Sequence, residues 1–257
     1  MLEKNNIFDG KTVLITGGTG SFGKAFLRRL KAFASPRKVI VYSRDELKQF
    51  EMSQQFDQKG IRYFIGDVRD KERLTLAMQG VDFVVHAVAY SDKSELSGEY
   101  LNTTRDNFLK SMLISCFSFT EVAKEASKIM NSGGSMLTLT YESTKVIPNY
   151  NVMGVCKSAL ETSVKYLARD LGEKNIRVNA ISAGPIKTLA ASAIGDAKFL
   201  YKWNQDHSLL KRNVDINDVG GSALYLLSDL AAAVTGEIHY VDAGYNKVGM
   251  PNPKNIT

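Results

Sequence analysis

The sequence has few cysteines, few histidines and no long hydrophobic run. Its two cysteines, Cys116 and Cys156, fall within predicted helices and have no metal-ligand spacing, which favours buried free thiols in a reducing compartment over a disulfide. The three histidines form no spaced cluster, so no metal site is expected. A stretch of about 18 apolar residues and a signal-peptide core are both absent, and we therefore expect a cytoplasmic protein with no membrane association.

Internal repeats, low-complexity linkers and basic clusters with interleaved aromatic residues are also missing. Of the 257 residues, 44% are hydrophobic and 23% are charged, enough for residues 1–257 to form one domain with a full core. The net charge is +6, and most of the excess lies in residues 1–90. This excess suits a polyphosphate ligand or simply belongs to solvated surface, and no nucleic-acid binding is expected.

Seven apolar, strand-like runs alternate with helical patterns. The predicted strands are 11–16, 39–42, 62–65, 82–86, 135–140, 177–181 and 237–241. Near-continuous apolar strands joined by helices are typical of a parallel sheet covered on both faces. The expected fold is therefore α/β, a doubly wound parallel seven-stranded Rossmann sheet whose ligands bind beyond the carboxyl ends of the strands.

A glycine-rich turn follows the first predicted strand and precedes a helical pattern. Gly17, Gly20 and Gly23 would let the backbone turn tightly, approach a pyrophosphate and pack the helix on the sheet. The N-terminus of that helix offers unpaired N–H groups to phosphates. The cofactor-binding residues predicted in this turn are Gly17, Gly20, Ser21, Phe22 and Gly23. After the third strand, Asp67 and Val68 are predicted to lie at the edge of the adenine.

The end of the second strand bears on the choice of cofactor. An NAD site usually places a carboxylate there to accept the ribose hydroxyls, whereas this chain has Ser43 and Arg44 before Asp45. Ser43 and Arg44 can hold a 2′-phosphate, which favours NADPH. Alternatively Arg44 pairs with Asp45 or Glu46 in solvent, or Asp45 itself serves NADH, so NADH use remains open.

Tyr150 and Lys157 form the most informative pair of the chain. Seven positions separate them, about two helical turns, so both side chains would project from one helix face. A phenol there can donate to a developing oxyanion, while an ammonium favours the phenolate and holds ribose hydroxyls. Such pairs also arise by chance on amphipathic helices. Tyr141 and Lys145 also reproduce a Tyr-x-x-x-Lys motif, but because 146–148 does not continue as a helix we interpret that match as coincidence.

Two family resemblances follow from the motifs. Residues from about 10 to 85 resemble the cofactor half of bacterial UDP-N-acetylglucosamine 4,6-dehydratases, extended short-chain dehydrogenases that retain NADP; the matching segments are 16–23, 42–49 and 66–70. From about Tyr90 onward the chain resembles bacterial enoyl-[acyl-carrier-protein] reductases; the matching segments are 146–154, Lys157, 177–190 and 241–245. The reductase pattern Gly-x5-Ser-x-Ala is missing near the N-terminus. The resemblances therefore predict a hybrid, with a dehydratase-like dinucleotide-binding half (1–87) and a reductase-like catalytic half (88–257).

The reductase resemblance implies an NAD(P)H-dependent oxidoreductase of fatty-acid synthesis that acts on an enoyl thioester carried by acyl-carrier protein. Tyr150 would bond the thioester carbonyl, Lys157 would hold the nicotinamide ribose, and Tyr141 would be a second tyrosine of the pocket. Tyr141 lies nine residues before Tyr150 where the family has ten, so a misplaced Tyr141 is expected. The remaining implied cofactor-binding residues are Ala87, Pro185, Ile186 and Thr188. The implied substrate-binding residues are Tyr90, Met153, Ala191, Ile194 and Phe199.

The same resemblance implies partners. Residues 188–205 match a mobile substrate loop, in which Lys198 and Lys202 would meet an acidic carrier protein or would be ordinary exposed lysines. The apolar stripe over 108–123 would build a homotetramer interface or simply pack in the core. Two other functions stay open, a UDP-N-acetylglucosamine 4,6-dehydratase and a non-catalytic dinucleotide-binding hybrid. A dehydratase would be expected to carry an additional Asp-Lys pair and a longer C-terminal sugar domain.

Overall fold

The sheet of seven parallel strands organises the molecule. The computed structural model describes residues 7–56, 59–130, 133–188 and 196–250. The strands are β1 (Thr12–Thr16), β2 (Lys38–Ser43), β3 (Ile61–Ile65), β4 (Phe83–His86), β5 (Ser135–Thr140), β6 (Arg177–Ala183) and β7 (Ile238–Val241). Their order in the sheet is β3-β2-β1-β4-β5-β6-β7, with every neighbouring pair parallel.

Helices cover both faces of this sheet. They are α1 (Ser21–Phe33), α2 (Glu46–Gln55), α3 (Lys71–Ala77), α4 (Arg105–Met112), α5 (Ser118–Ala126), α6 (Asn151–Gly172), α7 (Ala197–His207) and α8 (Ile216–Leu227). A π-helical segment, Leu113–Phe117, joins α4 to α5. The predicted doubly wound parallel sheet is confirmed, and all seven predicted strands are present within two residues of their expected bounds.

Two hydrophobic cores explain why the strands are apolar at consecutive positions. Leu14 of β1 packs into a core with Phe119 and Leu160, which come from α5 and α6. Its neighbour Ile15 points to the opposite face and packs with Phe26 of α1 and with residues of α8. Because successive side chains of a strand face opposite sides, both positions must be apolar when both faces are covered.

The two cysteines are buried free thiols, as predicted. Cys116 lies in the π-helical segment and Cys156 lies in α6. Burial raises the pKa of both thiols, so each stays protonated and unreactive at neutral pH. Within the residues described, no helix combines the length and the hydrophobicity needed to cross a bilayer.

The glycine turn after β1 brings the first strand against the end of β4. The Gly17 amide donates to the Tyr42 carbonyl at 2.8 Å, and the Ala87 amide donates to the Thr16 carbonyl at 3.0 Å. Gly17 has a φ of +66°, and a Cβ added there would lie 2.2 Å from the Ala87 carbonyl oxygen. The position therefore needs glycine for two reasons, its left-handed backbone and the close approach of another backbone.

We predict that Gly17→Ala destabilises the protein by more than the roughly 1–2 kcal/mol that a left-handed L-residue costs, because the new methyl group also collides with a backbone carbonyl. Gly10→Ala is the matched control, since Gly10 has a similar φ of +71° and open space around its Cβ position. Urea unfolding of both variants gives the comparison. Equal losses of unfolding free energy would contradict the proposed backbone contact.

Candidate active site

A large cleft opens at the carboxyl edge of the sheet. Its volume is about 2090 Å³, and both predicted halves of the chain line it. The predicted residues that line it are Gly17, Gly20, Ser21, Phe22, Gly23, Ser43, Arg44, Asp67, Val68, Ala87, Tyr90, Tyr141, Tyr150, Met153, Pro185, Ile186 and Thr188. The topology thus brings together residues that lie up to 171 positions apart in the sequence.

The glycine turn forms the phosphate-sized part of the cleft. Helix α1 begins at Ser21, and its N-cap is Gly20, which has no side chain to cap the first turn. That first turn also carries no acidic residue. Uncapped N–H groups and the positive end of a helix dipole therefore face the cleft, an arrangement that suits an anionic diphosphate.

The far end of the cleft, below β2 and β3, holds the residues expected to select the cofactor. Arg44 pairs with Asp67 at 3.6 Å rather than with Asp45 or Glu46. Arg69 also binds Asp67, at 2.8 Å, and its hydrogen bonds lower the pKa of that carboxyl to about 2. Ser43 is buried, and its hydroxyl oxygen accepts a hydrogen bond from the Gln49 amide at 3.0 Å.

Tyr150 and Tyr141 meet edge to face at the other end of the cleft. Their ring centroids lie 5.3 Å apart with an interplanar angle of 78°, a favourable geometry for two aromatic rings. Only 7% of Tyr150 is exposed. Burial, followed by the nearby Tyr141, raises the pKa of the Tyr150 phenol well above its ordinary value. At neutral pH the phenol is therefore a hydrogen-bond donor and not a phenolate.

The placement of Lys157 differs from the sequence-based expectation. Tyr150 is the N-cap of α6, and Lys157 lies within that helix. The Lys157 ammonium donates to the Leu139 carbonyl at 2.9 Å, and Lys157 is absent from the residues that line the cleft. Burial lowers the pKa of Lys157 to about 8. Burial keeps the Tyr150 phenol neutral, and the expectation that the Lys157 charge favours its phenolate form stays a prediction.

The segment after β5 keeps Tyr141 in the cleft despite the shortened spacing. It forms no helix between Tyr141 and Tyr150, so Tyr141 and Lys145 are not on a common helix, and the interpretation of their Tyr-x-x-x-Lys match as a coincidence stays a prediction. Glu142, which the sequence reasoning missed, is buried and accepts hydrogen bonds from the Thr144 amide and hydroxyl. Lys145 pairs with Glu142 at 3.7 Å and donates to the Asn246 carbonyl at 3.3 Å. With these contacts in the turn, Tyr141 lines the cleft and packs against Tyr150; the expected misplacement of Tyr141 relative to the family stays a prediction.

The lid side of the cleft was expected to carry Ala191, Ile194 and Phe199. Ala191 and Ile194 lie outside the described residues. Phe199 is 57% exposed, and its ring packs against Trp203 with centroids 5.8 Å apart. Phe199 therefore does not line the cleft, because the neighbouring face of α7 turns inward instead and presents Leu200 and Tyr201. The sequence did not show which face of α7 lies towards the cleft.

The cleft carries more positive than negative charge. Six basic and four acidic residues line it: Lys24, Arg44, Lys48, Lys93, Lys187 and Lys198, and Asp45, Glu51, Asp67 and Asp92. This excess suits a polyanionic ligand. In the part of the chain that the structure describes, no three His, Cys, Asp or Glu side chains are grouped so that they could hold a metal ion.

Comparisons with known proteins agree on one family. A family profile described as "Enoyl-(Acyl carrier protein) reductase" matches residues 37–246. A curated relative, enoyl-[acyl-carrier-protein] reductase [NADH] 2 of Rhizobium meliloti (strain 1021), is 64% identical over 172 residues. That match covers 66% of this chain, and the chain spans only 64% of the length of that relative.

Solved structures extend the similarity to nearly the whole chain. The enoyl-(acyl-carrier-protein) reductase of Anaplasma phagocytophilum in complex with NAD has a TM-score of 0.87 and 45% identity, over 95% of this chain and 97% of that one. The Bacillus cereus enoyl-acyl carrier protein reductase with NADP+ and indole naphthyridinone has a TM-score of 0.89 and 39% identity, over 95% and 100%. These matches give no support to a separate dehydratase origin of residues 1–87.

We predict that Lys157→Met raises the free energy of unfolding at pH 7 by about 1–3 kcal/mol. The folded-state pKa of Lys157 (about 8) lies below the unfolded value of about 10.4. The buried charge therefore destabilises the protein below pH 8, and this loss is relieved as the pH rises from 8 towards 10.4. The measurement is urea unfolding of both proteins at pH 7 and pH 9.5. The difference in unfolding free energy between variant and wild type should be smaller at pH 9.5 than at pH 7. An equal or larger difference at pH 9.5 would contradict desolvation of the ammonium as the cause.

Proposed function

The chain belongs to the enoyl-(acyl carrier protein) reductase family, and from that premise we propose that it transfers hydride from a nicotinamide dinucleotide to the β-carbon of a trans-2-enoyl thioester in fatty-acid synthesis. The observation that carries the proposal is the cleft itself. It joins an uncapped glycine turn at one end to the buried pair of Tyr141 and Tyr150 at the other. Residues 1–257 would then act as a single catalytic domain.

The glycine turn packs tightly against neighbouring backbone. Gly17 and Gly23 leave no room for a Cβ, since added methyl groups would lie 2.2 and 2.3 Å from backbone oxygens. We propose that this turn holds the pyrophosphate together with Thr188, that Asp67 and Val68 border the adenine, and that Ala87 and the Pro185–Ile186 backbone hold the nicotinamide end. When bound, the nicotinamide supplies the hydride.

Tyr150 would act as a hydrogen-bond donor to the oxygen that gains charge. Hydride addition at the β-carbon moves the double-bond electrons towards the thioester carbonyl and leaves an enolate oxygen. A neutral phenol in a buried site stabilises that oxygen more than water does, because it is fixed in place and sits in a low dielectric. Its raised pKa keeps the proton on Tyr150 until the oxygen becomes basic.

Tyr141 and Lys157 support this step in different ways. Tyr141 packs edge to face on Tyr150 and fixes the angle of its ring. The Lys157 ammonium has three N–H donors, and the bond to the Leu139 carbonyl does not exhaust them. We propose that Lys157 also bonds the ribose hydroxyls, and that Tyr90 and Met153 form walls for the acyl chain. Ala191 and Ile194 keep the same proposed role.

We propose that NADH is used at least as well as NADPH, in contrast to the preference expected from the sequence. The Rhizobium meliloti relative is named as an NADH enzyme, the Anaplasma phagocytophilum structure contains NAD, and the Bacillus cereus structure contains NADP+. These relatives do not support a preference for NADPH. In this chain Arg44 is paired with Asp67, and the hydroxyl of Ser43 bonds Gln49. A 2′-phosphate would therefore have to compete with Asp67 for the Arg44 guanidinium.

The substrate would arrive on an acyl-carrier protein, an acidic partner. Lys198 lines the cleft at its lid side, where a cation can meet an acidic surface. Lys202 instead pairs with Asp206 at 2.7 Å, so its charge is partly neutralised. We propose Lys198 as the stronger docking contact of the two.

The cytoplasmic location stays a prediction.

A homotetramer is proposed from an exposed apolar stripe. Leu109, Leu113 and Phe117 follow one another at intervals of four residues on the helix from α4 to α5, and they are 56%, 40% and 49% exposed. Tyr166 on α6 is 58% exposed. The other apolar residues of the predicted run, such as Phe119 and Val122, are buried in the core. A continuous apolar stripe of this kind favours burial against a second copy of the chain.

We predict that Tyr150→Phe lowers kcat for crotonyl-CoA reduction by about 10²–10³-fold, because one oxyanion donor is lost. The Kd for NADH should stay within about two-fold, since the phenol hydroxyl is not part of the nucleotide contacts. NADH oxidation at 340 nm and nucleotide titration measure the two quantities. Wild-type turnover in the variant would remove Tyr150 from the reaction. A parallel incubation of the wild type with UDP-N-acetylglucosamine should give no product.

We predict that Arg44→Ala raises KM for NADPH by roughly ten-fold while KM for NADH changes less than about two-fold, because only NADPH has a 2′-phosphate to bind the guanidinium. Initial rates with each nucleotide at saturating crotonyl-CoA give both constants, and NADH is the internal control. An equal rise for both nucleotides would show that Arg44 acts on the fold of the cleft and not on the phosphate.

A further inference from the structure

Tyr150 lies between two asparagines with unusual backbone conformations. Asn149 has a φ of +57° and Asn151 has a φ of +26°. Asparagine tolerates the left-handed region better than most L-residues, because its short amide side chain can hydrogen-bond locally. Two such positions around one buried tyrosine indicate that the surroundings hold this segment in a specific shape, and strained segments of this kind cluster at functional sites.

The side chain of Asn151 attaches the segment to one wall of the cleft. Its amide nitrogen donates to the carbonyls of Glu95 and Gly98 at 3.1 and 3.3 Å. The neighbouring residues Lys93 and Leu96 line the cleft. One neighbour of Tyr150 is therefore tied to the loop that follows β4.

The side chain of Asn149 reaches the N-terminus of α7. Its amide nitrogen donates to the Asp196 carboxylate at 3.0 Å. Asp196 has a φ of +54° and is the N-cap of α7. The residue before Tyr150 is thus hydrogen-bonded to the N-cap of α7, a helix whose residues Ala197, Lys198, Leu200 and Tyr201 line the cleft.

Two further contacts hold helix α7, and one of them joins residues of the cleft lining. The ammonium of Lys187 lies 4.6 Å from the ring centroid of Tyr201, and both residues line the cleft. The indole N–H of Trp203 donates to the Tyr245 hydroxyl at 3.0 Å. Of the three contacts described for α7, the one made by Asn149 involves a residue next to Tyr150 in the sequence.

We propose that the hydrogen bond between Asn149 and Asp196 couples the seating of α7 over the cleft to the placement of the Tyr150 phenol, which makes Asn149 a positioning residue. The inference rests on the proposed reductase function and adds a specific residue to it. Loss of the bond would release α7 and, through the adjacent peptide bond, allow the Tyr150 ring to move from its position against Tyr141. Substrate affinity and turnover should then change together, whereas nucleotide binding at the glycine turn should not.

The variants are chosen to remove the bond and leave the backbone free to adopt the same conformation. Asn149→Gly and Asp196→Gly retain access to positive φ and lose the amide or the carboxylate. Asp196→Asn keeps an acceptor oxygen and is the conservative rescue. Asn175→Gly is the matched control, because Asn175 also has a φ of +54° and lies in the turn between α6 and β6, away from the cleft lining.

The first measurement is acrylamide quenching of Trp203, the single tryptophan of the chain. It reports the seating of α7 without requiring catalysis. We expect a higher quenching constant in Asn149→Gly and Asp196→Gly, a similar value in the double variant, and wild-type values in Asp196→Asn and Asn175→Gly. Unchanged quenching in both glycine variants would overturn the link between Asn149 and α7.

The second measurement is steady-state kinetics with NADH and crotonyl-CoA. Each glycine variant should raise KM for the thioester and lower kcat by about ten-fold or less, as a lost hydrogen bond does, with KM for NADH unchanged. The double variant should be no worse than the more impaired single one. Wild-type kinetics in Asn149→Gly, or effects that multiply in the double variant, would overturn the coupling. A wild-type protein that reduces no enoyl thioester would contradict the proposed function itself, and the quenching results would then decide alone whether Asn149 holds α7.

Discussion

The parallel pairing of β1 with β4, and of β4 with β5, is the constraint on which the cleft depends. Its register places Thr16 beside His86 and His86 beside Thr138, so β1 and β4 end at one level and β5 continues two residues further, to Thr140. His86 strengthens this junction, since its ring bonds the Thr16 hydroxyl at 2.8 Å and the Ser118 hydroxyl at 2.9 Å. Burial lowers its pKa to about 3, so the ring is neutral and serves the structure at physiological pH.

Burial then sets the chemistry at the other end of the cleft. The same desolvation that raises the pKa of Tyr150 lowers the pKa of Lys157, and each shift disfavours the charged form of its group. The cleft therefore presents a neutral phenol, whereas the Lys157 ammonium donates to the Leu139 carbonyl. A buried neutral donor loses little hydration when the oxyanion forms. It therefore stabilises the oxyanion more effectively than a charged group that must first be desolvated.

Local patterns predicted most of the fold and much of the cleft, whereas long-range contacts were not accessible from the sequence. Alternating strand and helix patterns identified all seven strands, and the glycine spacing located the turn at Gly17, because both signals depend on residues close together in the chain. The pairing of Arg44 with Asp67 and the bond from Lys157 to Leu139 depend on strand order and burial instead. Glu142 was missed because an acidic residue in a loop is expected to be exposed, and its burial depends on packing that the sequence does not show.

The central claim is that this cleft directs hydride to the β-carbon of an enoyl thioester. The most direct measurement is isotope transfer from NADH deuterated at C4 of the nicotinamide, on each face in turn, to crotonyl-CoA, with the butyryl-CoA product examined by NMR and mass spectrometry. We expect one deuterium at the β-carbon from one labelled face and a solvent-derived hydrogen at the α-carbon. Product without deuterium from either face, or no product at all, would contradict it.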